Sequence, residues 1–238
     1  MITSDLPLFF SEDVEREIVT LSAEESRHCA KVLRKKAGDE IFLTNGKGVL
    51  STGVLLDVHS ARTNVTIVSR QTLKNQRSFY LHMIVAPTKS MDRFEWFVEK
   101  ATEIGVDEIT PVVCAQSERN IVKTERLKRI IISALKQSQR TFMPKVNPVI
   151  TYSALMEKDF SDSCYIAHCL EGEKVYLSDD YQKRSNATVL IGPEGDFNQS
   201  EIDMALGKGF LAISLGENRL RTETAALLSC IELNLINR

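Results

Sequence analysis

The chain has 238 residues, 43% of them apolar, with 30 Lys and Arg against 32 Asp and Glu for a formal charge of −2. These values are those of an ordinary globular protein, and they exclude a collagen, a long coiled coil or a disordered chain. The length allows one large domain or two modest ones, and the near-neutral total, taken alone, argues against a nucleic-acid partner. No run of apolar residues is long enough for a spanning helix. The opening stretch MITSDLPLFFSEDVERE lacks the basic start, apolar stretch and cleavage site of a secretory signal. Five cysteines, without CxxC spacing, speak for a reducing, cytoplasmic setting and against a disulfide framework or zinc ribbon.

In chain order, Glu17–Leu21 reads as a short strand, and Ser22 with Glu25 forms a capping box that opens a helix to about Leu33. Asp39–Thr44 and Val49–Val58 flank the turn Asn45-Gly46-Lys47-Gly48 as a hairpin, and Asn64–Ser69 is a further strand. Arg70–Arg77 reads as the linker. From Phe79 the pattern alternates. Strands are expected at Tyr80–Ala86, Ile109–Val113, Cys164–His168, Thr188–Ile191 and Phe210–Leu215. Helices are expected at Ser90–Ile104, which Gly105 stops, in the basic segment from Thr124, at Gln199–Leu206 and at Thr222–Ile236. Such alternation implies an α/β domain with a mainly parallel sheet. Trp96 lies with Glu95, Glu99 and Glu103 opposite the apolar stripe of its helix, either as an isolated exposed aromatic or as a subunit contact.

The net charge conceals an uneven distribution. Residues 1–76 sum to 0, residues 77–148 to +4 and residues 149–238 to −6. Positive charge concentrates in two places. Residues 26–38 hold Arg27, Lys31, Arg34, Lys35 and Lys36 with no acid, and residues 119–145 carry eight bases against Glu125. In the second, Leu127, Ile130, Ile131 and Ala134 form an apolar stripe, while Arg126, Arg129, Lys136 and Arg140 form a separate basic one. Such a stripe is either a solvated helix face or a phosphate-binding surface. Glu125 is the only acid in this segment, which favours the second reading.

No GxGxxG, P-loop, GxSxG or HExxH motif occurs, so a Rossmann cofactor site, a kinase, a serine hydrolase and a catalytic metal are all poorly supported. Two glycine-bearing loops after strands remain. They are Ile191-Gly192-Pro193-Glu194-Gly195-Asp196 and Leu215-Gly216-Glu217-Asn218-Arg219-Leu220-Arg221-Thr222-Glu223. In α/β sheets ligands sit at the carboxyl ends of strands.

The blocks LIGPEGDF and SLGENRLRTETAAL, with RFEWFVEKATEIGVDEITPVVCAQSERN, the basic helix and RHCAKVLRKKAGDEI upstream, resemble the RsmE family of SPOUT methyltransferases. The resemblance covers nearly the whole chain. It implies a PUA-like RNA-binding β-barrel over residues 1–74. After it, over residues 77–238, comes an α/β domain with a parallel sheet and a C-terminal trefoil knot. It further implies a cytoplasmic homodimer, without metal or membrane, that uses S-adenosylmethionine to methylate N3 of a uridine in 16S ribosomal RNA of the small subunit. By position, Leu170, Ile191, Gly192, Pro193, Glu194, Gly195, Leu215, Gly216, Asn218 and Leu220 would bind the cofactor. Arg221, Thr222 and Glu223 would be catalytic, with Arg221 on the uracil carbonyls and Glu223 either a base or the orienting partner of Arg221. RNA would be held by Arg27, Arg34, Lys35, Lys36, Arg126 and Arg129. The chain departs from the family pattern at Asp196, where glycine is frequent, and at Asn218-Arg219. A non-catalytic RNA-binding assembly factor and a SPOUT enzyme acting on another RNA are the alternatives.

Overall fold

The computed structural model describes residues 6–160 and 163–238; residues 1–5, the start of the stretch read for a secretory signal, lie outside it. The described chain forms two compact units. The first runs to Gln76 and includes Ile132–Met143, and the second comprises Arg77–Ile131 and Pro144–Arg238.

The first unit contains β1 (Leu8–Phe10), β2 (Ile18–Thr20), α1 (Ala23–Arg27), β3 (Glu40–Thr44), β4 (Val49–Asp57) and β5 (Asn64–Thr72). The sheet runs β1-β3-β4-β5-β2, with β1 parallel to β3 and the other pairs antiparallel. Alternate residues of β4 point inward, and Val49 and Leu55 join Phe9, Val19, Ile41, Leu43 and Val65 in one apolar cluster. Gly53 belongs to that inward row because a Cβ there would lie 2.4 Å from Val65 Cγ1. β5 extends to Thr72, three residues into the expected linker, since β4 is long enough to pair Val49 with Thr72 and Ser51 with Arg70.

Only half of the expected capping box forms at α1. Ser22 Oγ accepts from Glu25 N at 3.2 Å, but the Glu25 carboxylate turns to Lys136 Nζ, and both side chains are largely buried. Past Arg27 the backbone widens into one π-helical turn, His28–Val32, in place of the α-helix expected to about Leu33. Ile132–Met143 is tied to the first unit through its backbone as well. Gly48 N donates to Thr141 O and Met143 N to Gly46 O, each at 2.8 Å.

The second unit begins with β6 (Leu81–Val85), α2 (Met91–Ile104), β7 (Glu108–Val113) and α3 (Thr124–Gln137), whose second half counts with the first unit. It continues with β8 (Lys145–Val146), β9 (Ile150–Thr151), α4 (Tyr152–Met156), β10 (Ser163–Ala167) and α5 (Leu177–Asp180). It ends with β11 (Ala187–Ile191), α6 (Gln199–Gly207), β12 (Leu211–Ile213) and α7 (Thr222–Ile236). The strand order is β12-β10-β11-β6-β7-β8, with β9 also on β7, and every pair is parallel.

Strand alternation decides the layers. Ile84, Val112, Ile166 and Leu190 face the cluster that holds Tyr152 and Leu155 of α4 and Ile202 and Ala205 of α6. α2 and α7 pack on each other, and α7 packs on β6 and β11. Phe94 and Phe97 of α2 and Leu233 of α7 are fully buried. Burying side chains of this size contributes about 1.5–3 kcal/mol each. Asn198 caps α6 through a complete box with Glu201, whose other oxygen accepts from Ala115 N at 2.7 Å.

At the outer edge of the sheet Glu108 gathers Lys145 Nζ at 2.9 Å, Asn147 Nδ2 at 2.5 Å and Tyr80 OH at 2.7 Å. Burial alone would raise its carboxyl, but these three donors outweigh it and hold the group at about 2. An unfolded glutamate ionises near 4.3, so this contribution to stability is complete above roughly pH 4.5 and is lost as pH falls toward 2. In acid-unfolding curves, Glu108→Gln is therefore expected to lower the melting temperature at pH 7 and to narrow the gap to wild type as pH approaches 2. A gap that stays constant with pH would show that the carboxylate charge is immaterial.

Candidate active site

β12, β10 and β11 are neighbours, and their carboxyl ends open on a cavity of about 550 Å³. The loop after β10 contributes Ala167, His168 and Cys169, with Lys174 beyond. The loop after β11 contributes Ile191 to Glu194 and Asp196, and the loop after β12 contributes Ile213 through Thr222. Ile191, Ile213, Leu215 and Leu220 give apolar surface. Glu194, Asp196 and Glu217 bring acids, and Lys174, Arg219 and Arg221 bring bases.

Side-chain bonds fix these loops to one another, among them Arg219 Nη2 to Glu194 O at 3.4 Å. Thr222, the first residue of α7, donates from Oγ1 to Gly192 O at 2.9 Å in a buried contact. Asp196 adopts a left-handed backbone, φ 69°, and its two carboxylate oxygens accept from Cys169 N at 2.7 Å and Phe197 N at 2.8 Å. Aspartate tolerates this conformation better than most residues. Here its carboxylate ties the β11 loop to the β10 loop, which glycine at the same position could not do. Glu194 accepts from Lys89 N at 2.9 Å and so anchors the segment after β6. At Gly195 a Cβ would lie 2.7 Å from Gln116 Oε1, so the loop turns its back there on the segment after β7.

Of the expected cofactor residues, Ile191, Gly192, Pro193, Glu194, Leu215, Gly216, Asn218 and Leu220 line the cavity, as do Arg221 and Thr222. Leu170 and Gly195 do not. Glu223 is also absent from the lining, and it does not orient Arg221. Its carboxylate is buried and lies 3.9 Å from Arg93 Nε of α2. Arg221 precedes the helix with an extended backbone, while Glu223 lies in the first helical turn. Arg221, the N-cap residue, faces the cavity, whereas Glu223 is turned toward α2.

Sequence reasoning passed over His168, Cys169, Lys174, Asp196 and Ser214, all of which line the cavity. Only Asp196 carried a signal, as the departure from glycine. Burial, aided by the nearby Lys174 ammonium, lowers the His168 imidazole below its usual value, so the ring is neutral near pH 7. Among the described residues no cluster of three or more His, Cys, Asp or Glu is placed to hold a metal ion.

Arg126, one of the expected RNA contacts, is held by Glu95 of α2 through Nε at 2.5 Å and Nη2 at 2.7 Å, with Asp92 at 3.8 Å. Arg129 is exposed, and so are Arg27, Arg34 and Lys36, while Lys35 is partly covered.

The sequence matches the RNA methyltransferase domain over residues 75–234 and the RNA methyltransferase PUA domain over residues 21–62. Ribosomal RNA small subunit methyltransferase E of Mesomycoplasma hyopneumoniae is 35% identical over 64% of this chain and 68% of its own length. A crystal structure from Porphyromonas gingivalis superposes with a TM-score of 0.90 at 37% identity, covering 98% of each chain. Ribosomal RNA small subunit methyltransferase E of Neisseria gonorrhoeae, solved with S-adenosyl methionine bound, gives 0.83 at 29% identity over 97% of this chain and 98% of that one. With its parallel-sheet α/β domain preceded by a PUA domain, the chain belongs to the RNA methyltransferase family typified by ribosomal RNA small subunit methyltransferase E.

Proposed function

We infer that this chain transfers a methyl group from S-adenosylmethionine to N3 of a uridine in 16S ribosomal RNA, with residues 77–238 as the catalytic domain and residues 1–74 as an RNA platform. The observation that carries this reading is the cavity framed by three loops at the carboxyl ends of adjacent parallel strands. The cavity suits the cofactor. About 550 Å³ lies within the 300–1,000 Å³ usual for small-molecule sites. Its aliphatic side chains can cover a flat base, and its mixed charges match a ligand that carries both signs. When bound, S-adenosylmethionine supplies an electrophilic methyl on a sulfonium.

The residues of the chain then have distinct tasks. A uridine N3–H must lose its proton before or during attack. Arg221, placed on the uracil carbonyls, stabilises the resulting anion. Thr222 is a positioning residue, since its hydroxyl proton is committed to Gly192 O. Glu223 belongs with Arg93 behind this surface. Holding donor and acceptor in line supplies much of the acceleration without a covalent intermediate.

We read the C-terminal chain as a trefoil knot. Supporting this, β10 lies between β12 and β11, and Val175 N and O bond Ala212 O and Ser214 N across the chain. We further read the enzyme as a cytoplasmic homodimer, with Trp96, 44% exposed on α2, as part of the contact.

The deciding experiment incubates the protein with labelled S-adenosylmethionine and small-subunit RNA, free and assembled, and maps the modified nucleotide. Label at one uridine N3 of 16S RNA is expected. Cofactor binding without transfer would leave an assembly factor, and label in a different RNA would reassign the substrate. Arg221→Ala should lower kcat by roughly 100-fold or more while RNA affinity changes less than about twofold; an equal loss of both would make Arg221 a docking residue. Thr222→Val leaves the buried Gly192 carbonyl without its donor. It should cost roughly 1–3 kcal/mol in unfolding experiments and weaken cofactor binding, whereas Thr222→Ser keeps both.

A further inference from the structure

We propose that the exposed tip Lys31–Arg34 of the first unit docks an unpaired stretch of RNA, with Val32 and Leu33 against base faces and Arg27, Lys31, Arg34 and Lys36 on the phosphates. The proposal deepens, and rests on, the RNA-directed function inferred above. Three observations converge on it.

The first is exposure. Val32 is 68% and Leu33 38% exposed, and Lys31–Arg34 are four consecutive exposed positions. The same π-turn buries Cys29 completely and sets His28 edge-on to Phe9 at 5.9 Å, so its inner side is fully used by the core. Val32 leaves most of its apolar surface, and Leu33 more than a third, outside the fold.

The second is backbone conformation. The turn closes through Lys35 N to Cys29 O at 3.1 Å, and Arg34 occupies the left-handed position, φ 51°. Helix ends of this kind ordinarily place glycine there and tuck an apolar residue back onto the helix. Here an arginine bears the strained conformation, and the apolar residues stay outside. Wide turns and strained residues of this sort are frequent at functional sites.

The third is charge. Residues 26–38 contain five bases and no acid, and the carboxylate of the preceding Glu25 is committed to Lys136. Surplus positive charge selects a polyanion. A duplex offers phosphate and sugar to such a surface but no apolar face, whereas unstacked bases offer both. An apolar pair set among cations therefore fits single-stranded RNA rather than duplex.

The test uses the full chain, an unstructured RNA oligonucleotide of about twelve nucleotides and a blunt duplex of the same sequence, titrated between about 50 and 200 mM salt. The variant V32S/L33S is expected to bind the single strand roughly tenfold more weakly with an unchanged salt slope, and to bind the duplex within about twofold of wild type. Arg34→Gly is expected to leave the melting temperature the same or higher, since glycine accepts the left-handed backbone, while the salt slope falls by about 0.7. Equal losses on both RNAs, or none on either, overturn the proposal. So does a loss confined to assembled subunits, which would assign the tip to a protein partner. Methyl transfer by the wild type is read separately, so failure of the inferred enzyme and failure of the tip give different results.

Discussion

Three strands of a parallel sheet can present a binding site only if the loops that follow them keep a common arrangement, and here side-chain bonds between the loops, one buried and one exposed, impose it. Thr222 Oγ1 reaches Gly192 O, joining the start of α7 to the loop after β11, and Asp196 joins that loop to the one after β10. The α7 helix is anchored at its far end too, where Asn234 Nδ2 donates to Gly105 O at 2.9 Å beside α2. The cavity thus has rigid walls on a packed helix and sheet. Loop residues such as Leu215 and Leu220 can then present apolar surface to a ligand without needing contacts among themselves.

Much of this was legible in the sequence, and what was not has identifiable causes. Continuous apolar runs located β6 and β11, and helical spacing located α2 and α7, each to within a residue or two. The two glycine loops stood out for the same reason, as interruptions of strong patterns. Strand order did not, since placing β10 between β12 and β11 is decided by long-range packing that leaves no local mark. β8 and β9, two residues each, are too short to show a period. The nearness of Glu223 to Arg93 left no mark either, because Arg93 belongs to α2, far away along the chain.

Charge shows the limit of local reading most clearly. Within the basic helix Glu125 is the only acid, and it pairs with Lys128. Further compensation comes from elsewhere in the chain, where Glu95 of α2 clamps Arg126 and Glu25 of α1 takes Lys136. In each pair the glutamate is well buried and the base less so. Among the described residues no side-chain ion pair takes Arg129, Arg27, Lys31 or Arg34, although the Asp39 carboxylate accepts from Lys36 N at 2.9 Å. Net charge, segment charge and surface charge answer three different questions, and only the last concerns a polyanion.

Backbone strain separates what the fold requires from what it merely carries. Asp196 and Arg34 both hold left-handed conformations that cost an L-residue stability. At Asp196 the cost is offset inside the second unit, since both carboxylate oxygens accept backbone N–H groups and one of these bonds joins two loops of the cavity. Glycine would relax the backbone and lose the tie. At Arg34 the side chain is exposed, and the turn that it closes would close as well around glycine. An arginine there gains nothing for the first unit alone. On the docking proposed above, its advantage comes from a phosphate that the guanidinium meets outside the chain.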